Sequence, residues 1–91
     1  MNSSHPSRPR AHRVWFEQET LCVELADGRV VMVSSKPYPR LLNATKEQRD
    51  TWEMIGAGVG IHWPQIDEDL STEGLLRDAI RVLPAQQLEA I

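Results

Sequence analysis

Apolar and polar positions alternate most clearly between Leu21 and Ser34, where the runs Leu21 to Ala26 and Arg29 to Ser34 flank Asp27-Gly28. Asp-Gly tolerates the positive φ angles of a type I′ turn, so the pattern predicts a β-hairpin closed by a two-residue loop. That loop pairs Ala26 with Arg29, Leu25 with Val30, Glu24 with Val31, Val23 with Met32 and Cys22 with Val33. One face then carries Leu21, Val23, Leu25, Val30 and Met32. Upstream, Val14-Trp15-Phe16 is a β-prone triplet ahead of a polar turn, Glu17-Gln18-Glu19-Thr20. Downstream, Lys36-Pro37-Tyr38-Pro39 ends the sheet pattern, because two prolines remove ladder donors.

Helical signals follow. Thr45 with Gln48 three residues later is a capping box, and Glu47 suits the positive end of a helix expected from Lys46 to Ile55. Gln48, Trp52 and Ile55 share one face of that helix, and Gly56 stands where a left-handed C-cap belongs. In Gly58 to Trp63, Val59, Ile61 and Trp63 alternate against Gly60 and His62, which predicts a short strand stopped by Pro64. Ser71 is a good N-cap, and Leu75, Leu76, Ala79, Ile80 and Leu83 form a stripe at helical spacing, so a second helix is expected. Pro84 should kink it or open a further turn, with Leu88 and Ile91 beyond. The reading is an α+β domain, a small antiparallel sheet of a hairpin plus flanking strands packed by two or three helices. Its expected limits are a flexible tail over 1–12, the domain over 13–83 and a short helical extension over 84–91.

Composition narrows the class. A chain of 91 residues with 41% hydrophobic and 25% charged residues suits one folded domain. Cys22 is the only cysteine, so no intramolecular disulfide forms, and no run of about 18 apolar residues exists for a membrane span. A soluble, cytoplasmic protein without membrane attachment is the expectation. The net charge of −3 argues against nucleic-acid binding by the whole surface but leaves room for a local basic patch. Arg8, Arg10, Arg13, Lys36 and Arg40 are the residues available for one.

Candidate chemistry is sparse. Asp67-Glu68-Asp69, with Glu73 nearby, could hold a hard cation through oxygen ligands. The spacing lacks the length and glycine of an EF-hand, and acidic residues ahead of a helix are stabilised by its dipole, so no metal ligands are assigned. As an acidic patch they could instead meet a basic partner. His62 is the remaining titratable candidate, but it has no visible companion, since His5 and His12 lie in the tail and a base or zinc site needs several groups. His62, Asp67, Glu68 and Asp69 are therefore carried as partner-binding residues. Cys22 lies near Glu24, the wrong neighbour for a reactive thiol. Gly56 to Gly60 follows a helix and enters a strand, the reverse of a phosphate cradle. Trp52 and Trp63 are expected in the core, while Trp15 competes with Val14 and Phe16 for the inward face. No catalytic set and no cofactor are assigned.

Pro39-Arg40-Leu41-Leu42-Asn43-Ala44-Thr45, Gln48-Arg49, Trp52-Glu53, Ile55-Gly56, Gly58 to Pro64, Asp67 to Ser71 and Gly74-Leu75-Leu76 together resemble the bacterial domain-of-unknown-function family DUF2442. The resemblance covers about Val14 to Leu76, and the run from Ile61 to Ser71 is its most specific part. It implies a small antiparallel sheet packed by helices and supplies no catalytic residues. Members of the family are small stand-alone proteins, sometimes beside another small domain in an arrangement like a toxin–antitoxin pair, sometimes fused to a helix-turn-helix. Only fifteen residues follow Leu76, too few for such a fusion. The expected function is a non-enzymatic interaction or regulatory module, antitoxin-like, whose partner is another small protein or a second copy of the chain. The alternatives are a nucleic-acid-binding regulator using the basic tail and a metal-dependent enzyme using Asp67, Asp69 and His62.

Overall fold

The computed structural model describes residues 8–85. In them the hairpin grows into one antiparallel sheet, formed by β1 (Ala11–Glu17), β2 (Thr20–Leu25), β3 (Val30–Ser34) and β7 (Arg81–Leu83) in the order β1-β2-β3-β7. A second antiparallel sheet holds β4 (Glu53–Ile55), β5 (Gly60–Trp63) and β6 (Glu68–Ser71) in chain order. Three short helices complete the α+β fold: α1 (Pro39–Leu42), α2 (Lys46–Asp50) and α3 (Thr72–Arg77). The single expected sheet is thus two. None of these helices is long and apolar enough to cross a membrane.

The hairpin forms where expected but one residue out of the expected register: Glu24 faces Val30, Val23 faces Val31, Cys22 faces Met32 and Leu21 faces Val33. The loop has three residues, Ala26-Asp27-Gly28, closed by a Gly28 N–H bond to the Leu25 carbonyl and a Leu25 N–H bond to the Arg29 carbonyl. Gly28, at φ +94°, occupies the left-handed position that such a loop requires. Because side chains alternate, the slip turns β3 over. Val31 and Val33 are buried opposite Leu21, Val23 and Leu25, while Val30 and Met32 are half-buried.

Strand β1 begins earlier than expected, taking Ala11 and His12 out of the tail. A bulge between Ala11 and Arg13 lets both Ala11 and Val14 face inward although they are three residues apart. Trp15 lies opposite Cys22 on the other face of the sheet, and Phe16 packs against the core.

Both long helices predicted from the sequence are cut short. Thr45 and Gln48 do form a reciprocal capping box, but α2 ends at Asp50, and Glu53–Ile55 pairs with β5 instead of continuing the helix. Gly56 is accordingly a hairpin-turn residue, and Ile55 is 40% exposed. Ser71 caps α3 by accepting the Gly74 N–H, yet α3 stops at Arg77 and Arg81–Leu83 adds to β3 as β7. Of the expected stripe, Leu75 is buried, whereas Ile80 is 65% exposed. Of the acidic stretch before Ser71, Glu68 and Asp69 lie on β6, which runs directly into α3, and Asp67 lies in the turn before it. Residues 1–7 of the tail, and Leu88 and Ile91 of the expected extension, lie outside the described residues.

The core lies between the sheets, where Leu21, Val23, Val31 and Val33 meet Leu41, Ile61, Trp63 and Leu75. Trp63 is fully buried and its indole N–H donates to the Arg49 carbonyl at 3.1 Å, satisfying its polar edge. Trp52 packs half-buried against this core. Two polar joints hold the sheets in place. The Ala11 N–H and the buried Thr72 hydroxyl both donate to the Gly58 carbonyl, at 2.7 and 2.6 Å. Arg49 donates to the carbonyls of Leu41, Leu42 and Gln18, with its guanidinium 4.6 Å from the Phe16 ring centroid.

Candidate functional site

Strand β5 turns Ile61 and Trp63 inward and therefore turns His62 outward. Antiparallel pairing on both sides then aligns Glu53, His62 and Asp69 in one row across the outer face. His62 Nδ1 is hydrogen-bonded to Asp69 Oδ1. The same register turns Glu68 the other way, opposite Trp63, where its carboxylate lies 4.0 Å from the Arg40 guanidinium. Asp67 sits in the β5–β6 turn at φ +53°, and its carbonyl accepts from Arg40 at 2.6 Å. Glu73 is in the first turn of α3. The candidate partner-binding set is thus divided: His62 and Asp69 are joined, while Asp67 and Glu68 are held by Arg40.

The companion of His62 that the sequence did not reveal is Asp69, seven positions away and directly opposite across a tight hairpin. Glu53 was missed because the expected helix absorbed it. The Asp69 hydrogen bond raises the His62 pKa above its ordinary 6.5, reinforced by the negative charges of Asp69, Glu53 and Asp67. In the neutral imidazole the bond fixes Nδ1 as the protonated nitrogen and leaves Nε2 as acceptor. Among the described residues no protein group hydrogen-bonds Nε2, and no three His, Cys, Asp or Glu side chains stand close enough to hold a metal ion. The row can carry a proton. Cys22 is fully buried, and burial, with the nearby Glu17 carboxylate, pushes its thiol up to about 11.

The five candidate nucleic-acid contacts do not converge. Arg13 pairs with Glu24 at 3.2 Å and lies over the Trp15 ring, and Arg40 is committed to the β5–β6 turn. Lys36 follows the end of β3 near the β1–β2 turn. Arg8 and Arg10 stand at the other end of that sheet, where the Arg10 carbonyl accepts the Ala26 N–H.

Among the described residues, the most exposed large apolar side chain, Ile80, lies just before β7. As an outer strand of its sheet, β7 has one row of its backbone groups unpaired among the described residues. Val82 on it is 39% exposed and Ile80 just before it 65%.

Comparison with known proteins places these observations in a family. Residues 11–81 match the family profile described as protein of unknown function (DUF2442). A crystal structure of a protein of unknown function from Rhodospirillum rubrum ATCC 11170, at 2.75 Å resolution, is similar at 27% sequence identity. The two superpose with a TM-score of 0.68, covering 82% of this chain and 93% of that one. No curated protein matches the chain.

Proposed function

The chain belongs to the DUF2442 family, and from that premise we propose that it works in the cytoplasm as a non-enzymatic interaction module, regulatory or antitoxin-like, that binds a small protein partner through the β7 edge. The carrying observation is the pairing of an open strand edge with exposed Ile80 and Val82. A partner strand laid along β7 would satisfy the free backbone groups and cover both side chains in one step. The other outer strand of this sheet, β1, is interrupted by a bulge and carries Arg13 in an ion pair, features that discourage strand addition. Dispersal of the basic residues supports a protein partner over nucleic acid, since phosphate binding needs several cations along one track. The isolated His62–Asp69 pair supports a binding role over catalysis.

The test is co-purification of the tagged full chain from its native host, alongside a variant carrying Ile80→Lys and Val82→Lys. The expected result is a small protein retained in stoichiometric amount by the parent chain and lost from the variant, with identical circular dichroism spectra. Retention by both, or by neither, overturns the reading.

A further inference from the structure

The hairpin turn brings together charges that are far apart in sequence. The Ala26 N–H bonds to the Arg10 carbonyl at 2.8 Å, which seats the chain at Arg8–Arg10 beside the Ala26-Asp27-Gly28 loop. Leu76 of α3 approaches from the other side, and a groove of about 380 Å³ runs between them. Arg8, Arg10 and Arg29 line it with a single carboxylate, Asp27, and its apolar wall includes Leu25 and Leu76. Asp27 is already engaged: its two oxygens accept from the Arg29 backbone N–H at 3.0 Å and from the Arg29 Nε at 2.8 Å. Arg10 donates to a neutral carbonyl, that of Ala57, at 3.3 Å, and neither Arg8 nor Arg10 has an ion-pair partner among the described residues. Among the described residues, these two guanidinium charges of the groove thus meet no carboxylate, on a chain whose net charge is −3.

We propose that this groove binds an acidic peptide segment of a protein partner, with carboxylates on Arg8 and Arg10 and an apolar side chain against Leu76. Charge complementarity selects the occupant, because guanidinium forks match carboxylates in bidentate geometry. A nucleic acid fits the groove less well. Its backbone would need cations to continue beyond the groove, but Arg13 is paired with Glu24 and Lys36 lies at the opposite end of the sheet. The proposal uses neither Ile80 nor Val82, so it stands or falls separately from binding at the β7 edge.

The experiment is fluorescence polarisation with a fluorescein-labelled peptide of sequence Glu-Leu-Glu-Glu-Leu-Glu, mixed with the full chain and followed in parallel by amide NMR shifts. Saturable binding is expected, weakening as salt rises from about 50 to about 300 mM, with shifts centred on Arg10, Leu25, Arg29 and Leu76. The double variant Arg8→Gln with Arg10→Gln should lose affinity by roughly tenfold or more while keeping its amide spectrum, and a Lys-Leu peptide should not bind. Any of four results overturns the proposal: no saturable binding at about 1 mM, a level of affinity far below ordinary recognition; equal binding by the double variant; tighter binding of a short oligothymidine in the same groove; or self-association of the chain that the peptide does not displace.

Discussion

Replacing Gly58 with alanine tests whether one carbonyl joins the two sheets. Gly58 has φ +97°, and an added Cβ would lie 2.4 Å from the Ala11 oxygen and 2.9 Å from the Ala11 nitrogen. A left-handed backbone costs a non-glycine residue about 1–2 kcal/mol, of which the stiffer unfolded chain returns about 0.4–1 kcal/mol. The larger cost comes from the forced separation. Moving Gly58 away from Ala11 breaks the Ala11 N–H bond, worth about 0.5–1.5 kcal/mol, and strands the Thr72 hydroxyl for about 1–3 kcal/mol. The total centres on about 4 kcal/mol, a large part of the roughly 5–14 kcal/mol expected of a domain this size. Gly56→Ala is the matched control: its φ of +61° also lies in the left-handed region, but the new Cβ would meet only the Val59 side chain, at 3.1 Å. Its cost should be about 1 kcal/mol. Urea unfolding followed by tryptophan fluorescence measures both. If the two variants differ by less than about 1 kcal/mol, the tight approach at Ala11 is not what holds the sheets together.

Two further outcomes follow from named contacts. His62 has a folded-state pKa raised chiefly by its bond to Asp69, so the stability this contributes is fully present below the ordinary 6.5 and is lost as pH rises through the folded value. Asp69→Asn should bring the NMR-titrated His62 pKa back down and flatten that part of the melting-temperature profile; an unchanged titration would refute the pairing. Arg49→Lys keeps the charge but cannot reach the carbonyls of Leu41, Leu42 and Gln18 together, and should cost about 2–3 kcal/mol in urea unfolding. A loss below about 0.5 kcal/mol would mean that the fork geometry is dispensable.

Local chemistry determined much of this protein from the sequence alone. The hairpin and its Asp27-Gly28 turn, the Thr45–Gln48 capping box, the strand stopped by Pro64 and the Ser71 cap were all legible, because each depends on residues within a few positions of one another, and the family was legible from motifs spread over most of the chain. Tertiary pairing decided the rest. Asp-Gly is compatible with both a two-residue and a three-residue loop, and the longer one buries Val31 and Val33 against the opposite sheet. Met54-Ile55 and Val82-Leu83 are apolar runs too short to reveal a period, so their fate depended on β5 and β3, whose edges offered backbone partners. His62 gained its companion by the same route: once Glu68–Ser71 is a strand paired with β5, Asp69 must lie opposite His62, and the continuous acidic run is split between two faces. Periodicity identifies which side chains are apolar, but the open edge at β7 and the arginines gathered around the hairpin turn arise from strand order, which no local pattern encodes.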